Sequence, residues 1–200
     1  MAREVKPLPF SGELRGISKR QIDEHHDVLY SGYVKKIGLI EEKLKAADKS
    51  GANSTYSEVG ELKRAEGFAS NGVTLHEAYF ESLGGDGGTP SGKIAEFLTQ
   101  DFGSFEAWRE DLKAAGMAAR GWVVLAYNWI DKKFHNYSSD YHTQGIWGSS
   151  PVLVLDVYEH AYFLDYGTAR LKYLNAFFDN LNWKAVNQKI DFLKISEHRG

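Results

Sequence analysis

A change of sequence pattern at one glycine-rich segment most constrains the fold of this chain. The segment GGDGGTPSG (84–92) holds five glycines and a proline in nine residues, which makes it the strongest break in the sequence. Before the break, apolar residues recur at three- and four-residue steps, whereas after it stretches rich in β-branched and aromatic residues appear. We therefore expect an α+β protein with an N-terminal helical hairpin domain over 1–86 and a C-terminal α/β domain over 87–200.

Two long helices are predicted before the break. An amphipathic pattern begins after Ser18, whose side chain suits an N-cap, and continues to about residue 44. A polar stretch at 49–55 ends that pattern, and a second pattern covers about 58–83, with an irregularity expected at Asn71 and Gly72. Residues 1–16 are expected to form an extended lead-in. Two long helices with a short polar connection favour an antiparallel hairpin.

The second half of the chain is expected to mix helices and strands. GWVVLAYNW (121–129) and KKFHNYSS (132–139) are typical of two strands with a turn at Ile130 and Asp131, and a third strand is predicted near 152–157. These strands make a three-stranded antiparallel sheet. The remaining patterns predict helices at 94–98, 104–119, 168–180 and 183–193.

Composition excludes several classes of site and partner. Cysteine is absent, so disulfides, zinc–thiolate sites, iron–sulfur clusters and thiol nucleophiles are excluded, and a metal would have to bind His, Asp or Glu. A formal net charge of −3 gives no reason to expect nucleic acid or an acidic membrane as a partner. The longest apolar run, 122–127, is too short to cross a bilayer, and no secretory signal is visible at the N-terminus. We expect a cytoplasmic, soluble protein.

Histidines and carboxylates are the candidate metal ligands. Asp156 and His160 are four residues apart, a spacing that can aim a carboxylate and an imidazole at one point. Spacing alone equally fits a helix-capping aspartate and a hydrogen-bonded core histidine. His25 and His76 lie on the two predicted hairpin helices, which can face each other as in bundle metal sites. Tyr33 is eight residues after His25, where it either overhangs that site or packs in the core.

Three segments resemble the signature regions of iron/manganese superoxide dismutases, in order and in approximate spacing. They are HHDVLYSGYV (25–34), NGVTLHEAYFESLGG (71–85) and DVYEHAYFLDYGTARLKYLNAFFDNLNW (156–183). The stretches 102–116 and 121–127 are also similar to the central helix and first strand of that family, so the resemblance covers nearly the whole chain. The resemblance implies superoxide as substrate, converted to oxygen and hydrogen peroxide.

The resemblance implies one iron or manganese ion per subunit, with His25, His76, Asp156 and His160 as its ligands. Three imidazoles and one carboxylate leave a fifth position for solvent in the family's trigonal bipyramid. The metal cycles between M(III) and M(II) by one electron, and no organic cofactor is needed. Imidazole and carboxylate ligands suit this chemistry.

Two residues depart from the family pattern in the expected proton relay. Tyr33 matches the family's gateway tyrosine, but the histidine that usually partners it is here Leu29. The tyrosine that bonds that histidine across the family's dimer is here Phe163. Because both partners have become apolar together, the change is expected to be nearly neutral for stability, while it removes the usual relay.

The residue that hydrogen-bonds the metal-bound solvent differs among members of the family, and it bears on the choice of metal. Iron-type members commonly place a glutamine where this chain has Gly72, while manganese-type members supply one from the hairpin after the first strand, and some archaeal members a histidine. The alignment places that position at Tyr141 or His142; we predict His142, with Gln144 as the fallback. Gly72 together with a hairpin histidine favours iron slightly.

The resemblance also assigns an aromatic wall and an interface. Phe80, Trp122 and Tyr158 would line the site, while His135 and His198 are expected on the surface. In related dimers the glutamate at position 159 crosses to the ligand histidine of the other subunit. Glu159 therefore implies a homodimer, with a tetramer of two such dimers as the alternative.

Two other functions stay open from the sequence. Two histidines and a carboxylate with open positions also serve non-haem iron oxygenases, and a non-catalytic metal-binding or interaction protein could keep the same fold. A third histidine argues against the oxygenase, and retention of all four ligand residues and Tyr33 argues against loss of activity.

Overall fold

The computed structural model describes residues 3–11 and 13–199; residues 1, 2, 12 and 200 of the expected lead-in and the C-terminus lie outside this description. The described part of the lead-in contains no helix, as expected. Lys6 attaches it to the helical hairpin, because its Nζ lies 2.6 Å from Glu77 Oε2 and its backbone N–H donates to the Tyr30 hydroxyl.

The first predicted helix is present but changes its hydrogen-bonding pattern in the middle. It comprises α1 (Lys19–Asp23), a π-helical stretch (Glu24–Tyr30) and α2 (Ser31–Ala46). The Ser18 side chain accepts a hydrogen bond from the Gln21 N–H, which confirms the predicted cap. The wider π-helical turns occur where His25 faces the interior, a placement common at functional sites.

The second long helix, α3 (Glu58–Glu81), packs along α2 and completes the hairpin. The irregularity expected at Asn71 and Gly72 is wrong, because α3 continues through both residues. Both serve tertiary contacts instead. The Asn71 side chain donates to a backbone carbonyl in a distant loop, and the missing side chain at Gly72 makes room for the Tyr33 ring.

The C-terminal half contains the three-stranded antiparallel sheet that the sequence predicts, in the order β2–β1–β3. Its strands are β1 (Trp122–Asn128), β2 (Lys133–Ser139) and β3 (Ser149–Asp156). β3 begins three residues before the predicted start and includes Pro151, which an edge strand tolerates. Trp122 pairs with Asp156 across β1 and β3, so the end of β3 lies beside the start of β1.

Short helices cover the sheet and close the chain. They are α4 (Lys93–Phe102), α5 (Phe105–Ala118), a 3-10 turn (Glu159–Ala161), α6 (Phe163–Tyr166), α7 (Arg170–Asp179), α8 (Trp183–Phe192) and α9 (Ile195–His198). α3 also packs on β3, so the helical hairpin and the sheet share one buried core. Among the described residues, no helix combines the length and the apolar character that a membrane span requires.

Candidate metal centre

Four side chains from four separate places in the fold converge between the hairpin and the sheet. His25 comes from the π-helical stretch, His76 from α3, Asp156 from the end of β3 and His160 from the 3-10 turn that follows it. The four potential ligand atoms lie within 4.8 Å of one another. The structure thus brings together the residues that the resemblance assigns as ligands.

The three imidazoles surround one carboxylate oxygen. Asp156 Oδ2 lies 3.2 Å from His25 Nε2, 3.8 Å from His76 Nε2 and 3.1 Å from His160 Nε2. His25, His76 and Asp156 are fully buried, whereas the side chain of His160 keeps 30% of its surface exposed. Solvent therefore reaches the cluster from the side of His160.

Unpartnered nitrogens show that this cluster is suited to a cation. His25 Nε2 and His76 Nε2 are buried without a hydrogen-bond partner among the described residues. A buried polar atom without a partner costs about 1–3 kcal/mol, so such atoms call for an explanation. His76 Nδ1 lies 2.6 Å from the Gly72 carbonyl oxygen, to which it must donate, and this leaves the lone pair of Nε2 facing Asp156. A metal ion would satisfy both nitrogens.

The pKa values of the cluster favour metal binding. Burial lowers the pKa of His25, and it lowers the pKa of His76 to about 3, so both rings are neutral near pH 7. Burial alone would raise the pKa of Asp156, but the neighbouring rings of His160 and His25 outweigh it and hold that pKa below its usual range. Neutral imidazoles and an ionised carboxylate are the forms that bind iron, manganese or zinc.

Aromatic rings enclose the cluster. Phe80 lies 5.1 Å from His25, Trp122 lies 5.0 Å from His76, and Tyr158 stacks on His160 at 5.2 Å, all between ring centroids. The structure therefore places the three predicted wall residues around the cluster. Such a wall keeps the local dielectric low, which strengthens the interaction of the carboxylate with a cation.

His142 and Tyr33 form a hydrogen-bonded pair next to the cluster. His142 is buried, its Nε2 lies 2.8 Å from the Tyr33 hydroxyl, and its Nδ1 lies 2.9 Å from Trp122 Nε1. The Tyr33 ring packs on His76 with centroids 5.3 Å apart. Burial lowers the pKa of His142 and raises the pKa of Tyr33, so both groups are neutral near pH 7.

The other polar candidates of this region lie away from the cluster. Tyr141 is exposed, and the Gln144 side chain accepts a hydrogen bond from the Asp140 N–H. The amide oxygen of Gln144 is used within its own loop, so the geometry favours His142 over the fallback Gln144. His135 binds Asp131 on the surface, and His198 is exposed, as expected.

The two residues that depart from the family pattern are not fully buried. Leu29 is half-buried, and Phe163, three residues after His160, is 48% exposed. Glu159, which precedes His160 in the chain, is exposed. Within the single chain, Glu159 makes no contact that explains its place in the motif among the residues that the structure describes.

Two residues near the site were missed from the sequence. Gln21 is buried and its Nε2 donates to the His160 carbonyl oxygen at 2.6 Å, while Asn71 Nδ2 donates to the His142 carbonyl oxygen at 2.7 Å. Both fix the backbone of a site residue. A polar residue next to the apolar stripe of a helix was the available signal for both.

Comparisons with known proteins agree with this geometry. Residues 90–189 match the model of the family described as iron/manganese superoxide dismutases, C-terminal domain. The chain is 42% identical over 183 residues to a protein of Aquifex pyrophilus named superoxide dismutase [Fe], covering 89% of this chain and 86% of that one. It is 38% identical over 187 residues to superoxide dismutase [Mn] 2 of Haloferax volcanii, covering 92% of each. It is also 38% identical over 188 residues to superoxide dismutase [Fe] of Cupriavidus metallidurans, covering 92% of this chain and 94% of that protein.

Proposed function

This chain belongs to the iron/manganese superoxide dismutase family, and from that premise we propose that it converts superoxide to oxygen and hydrogen peroxide at the four-residue cluster. The observation that carries the proposal is the set of buried, neutral imidazoles with unpartnered Nε2 atoms around an ionised carboxylate. The three relatives named above are all superoxide dismutases. The oxygenase and the non-catalytic binding protein are therefore not favoured.

His25, His76, Asp156 and His160 would hold one iron or manganese ion through the three Nε2 atoms and a carboxylate oxygen. A bound ion of either metal supplies one-electron redox chemistry between its trivalent and divalent states. The protein holds the ligand atoms in place before the ion binds. The Gly72 carbonyl orients His76, and the Tyr158 N–H donates to Asp156 Oδ1 at 2.9 Å.

Tyr33 and His142 would deliver protons to the reaction. Formation of hydrogen peroxide consumes two protons for each pair of superoxide ions, so the site needs a route for protons. Tyr33 is half-buried and bonded to His142, and it therefore lies between the enclosed cluster and solvent. Leu29 and Phe163 carry no ionisable group, so the proposed route involves Tyr33 and His142 instead.

We propose iron as the preferred metal. Support comes from position 72, where a Cβ would lie 2.8 Å from the Tyr33 ring. A hydrogen-bonding side chain at position 72 would displace Tyr33. His142, from the loop after β2, would therefore be the residue that hydrogen-bonds the metal-bound solvent. The relatives include both iron and manganese proteins.

We also propose a homodimer that covers the exposed side of His160. Exposed apolar side chains occur on the helix that follows His160 and on the π-helical stretch that carries His25, namely Phe163 at 48%, Leu164 at 52% and Val28 at 62%. Glu159 of one subunit would accept a hydrogen bond from the outward nitrogen of the other subunit's His160. The expected mass in solution is at least twice the chain mass of 22.5 kDa. Light scattering that gives the mass of one chain at micromolar concentration would contradict this proposal.

A cytoplasmic location remains a prediction from the sequence.

The function is tested by superoxide dismutase activity on protein reconstituted separately with iron and with manganese, with the metal content of each sample measured. We expect activity at near one metal per chain, higher with iron, and its loss in His160→Ala. His135→Ala, a change at an exposed histidine, is the matched control and should keep the activity. Stoichiometric metal without activity in both forms would contradict the proposed function.

A further inference from the structure

A cavity of about 490 Å³ is lined by α3, by the sheet and by the loop after β2 (140–148). Leu75 of α3 forms one wall, Val124 and Ala126 of β1 form the opposite wall, and Ile146 of the loop lies at the side. His142 also lines the cavity, whereas none of the four metal-ligand residues does. The volume is in the range of cavities that hold small organic ligands.

No charged side chain lines this cavity among the residues that the structure describes. The cavity of about 580 Å³ beside α8 differs, because Glu81, Lys184 and Lys189 line it. His142 adds no charge near pH 7, since burial lowers its pKa. A charged ligand would lose its hydration here without gaining a counter-charge, so the lining favours an uncharged ligand.

Three polar side chains of the lining keep hydrogen-bond donors that no described residue uses. The Gln144 amide oxygen accepts from the Asp140 N–H, and its amide nitrogen donates to no described residue. The Tyr137 hydroxyl oxygen accepts from Asn128 Nδ2 at 2.8 Å, so its own O–H is available. Ser149 Oγ is buried and has no partner among the described residues. Donors require an acceptor, and a carbonyl oxygen is the matching group on a ligand.

We propose that this cavity is a binding site for an uncharged aromatic molecule that carries a carbonyl oxygen. A flat ring would contact Leu75 on one face and Val124 and Ala126 on the other, because a helix and a sheet form the facing walls. The carbonyl oxygen would accept from the side chains of the lining that have a donor to offer. Binding at this site needs no turnover, so the proposal does not depend on the proposed function.

Equilibrium dialysis of the metal-loaded protein against three probes of matched shape tests the chemistry of the site. The probes are 2-naphthamide, which is uncharged, 2-naphthoate, which is an anion, and 2-naphthamidine, which is a cation near pH 7. We expect 2-naphthamide to bind at least about tenfold more tightly than either charged probe, because the cavity offers no counter-charge. Equal binding of the three probes, or no binding of 2-naphthamide up to its solubility limit, would overturn the proposal.

Two alanines that line different cavities give a matched pair for the location of the site. Ala126 lines the proposed site, and Ala185 lines the cavity beside α8. Ala126→Leu should weaken the binding of 2-naphthamide by at least about tenfold, because the larger side chain occupies the space of the ligand. Ala185→Leu should leave the affinity within about twofold, since a distant site acts independently. Equal effects of the two substitutions would overturn the location.

Gln144→Glu tests the role of charge at an exposed position, where no buried residue has to repack. The carboxylate keeps an acceptor for the Asp140 N–H and adds a negative charge to the lining. We expect 2-naphthamidine to bind several-fold more tightly to this variant than to the wild type, and 2-naphthoate more weakly. Unchanged affinities for both charged probes would contradict the proposed site.

A second copy of the chain is the other occupant that the test can identify. Ile146 is 46% exposed beside the cavity. Failure of 2-naphthamide to bind, together with a mass in solution that falls from four chains to two in Ile146→Asp, would overturn the proposal and identify the cavity as part of an interface between copies.

Discussion

The ligand cluster (His25, His76, Asp156, His160) and the His142 loop (140–148) meet at one site but are held in different ways. The ligand residues come from helices and a strand end whose backbone is already fixed by regular hydrogen bonds. The His142 loop has no regular structure and depends on side chains that reach it from other elements. We therefore expect the cluster to tolerate changes in the loop, and the loop to be sensitive to single contacts.

The largest effect is expected from Asp156→Asn. This change removes the one negative charge among the ligand residues while keeping the shape of the side chain. Substitution of outer partners at metal sites costs about 10–100-fold, so loss of a ligand charge should lower metal affinity by more than about 100-fold. Metal content after dialysis against a weak chelator measures the effect.

Asp131→Asn is the control for that prediction, because Asp131 is an exposed carboxylate that also binds a histidine. The control should keep its metal. Retention of metal by Asp156→Asn would mean that the cluster is not the metal site.

Metal removal should make the protein sensitive to acid through the cluster. The pKa of His76 is lowered by burial from an ordinary 6.5 to about 3 in the folded chain, and that of His25 is also lowered. Below about pH 6.5 the unfolded chain therefore binds more protons, and folding stability falls as pH falls. Each such histidine contributes a slope of about 1.4 kcal/mol per pH unit between its two pKa values.

Urea unfolding of the metal-free protein between pH 6.5 and 4.5 measures this slope. His76→Gln should remove one contribution and flatten the curve. A wild-type stability that does not change over this range would contradict the neutral, buried state of the cluster.

Gly72→Ala should disturb the Tyr33–His142 pair without removing the metal. The added Cβ would lie 2.8 Å from the Tyr33 ring, which must move. Overpacking of this kind costs about 1–3 kcal/mol, and a displaced Tyr33 should lower activity several-fold while metal content stays the same.

Gly67→Ala on the same helix is the matched control and should have the opposite effect on folding stability. The nearest atom that its Cβ would meet among the described residues belongs to Thr143, at 4.0 Å, so the better helix former should stabilise the protein by up to about 1 kcal/mol. Destabilisation by both substitutions would indicate that α3 itself, and not Tyr33, is sensitive at position 72.

The smallest effect is expected from Asn71→Ala, which removes one hydrogen bond to the His142 loop. The loss should cost about 1 kcal/mol and lower activity a few-fold, while metal content is unchanged. Thr74→Ala on the same helix removes a hydroxyl that donates to the Ser70 carbonyl within α3 and should leave activity unchanged. Loss of metal from Asn71→Ala would contradict the separation of cluster and loop.

Local patterns predicted the elements well and the contacts between distant residues poorly. The Ser18 cap, the two hairpin helices and the three strands follow from capping and periodicity, which are local properties. The irregularity expected at Asn71 and Gly72 is absent. Gly72 instead makes room for the Tyr33 ring, and Asn71 donates a hydrogen bond to a distant loop. A local sequence pattern does not identify a contact with a residue that lies far along the chain.

The candidate site shows the same division. The spacing of Asp156 and His160 alone fits a capping aspartate and a core histidine as well as two metal ligands. The order of three family-like segments along the chain made the ligand assignment specific. The hydrogen bonds from Trp122 and Asn71 to His142 could not be predicted from the sequence, because the loop after β2 has no periodic pattern that fixes its backbone. Its place depends on tertiary contacts.

The central claim is that four residues form one metal centre, and anomalous diffraction from crystals of the reconstituted protein tests it most directly. We predict one anomalous peak per chain, within about 2.0–2.2 Å of the ligand atoms of His25, His76, Asp156 and His160. A peak elsewhere in a protein that holds one metal per chain, with no anomalous density between these four side chains, would contradict the account.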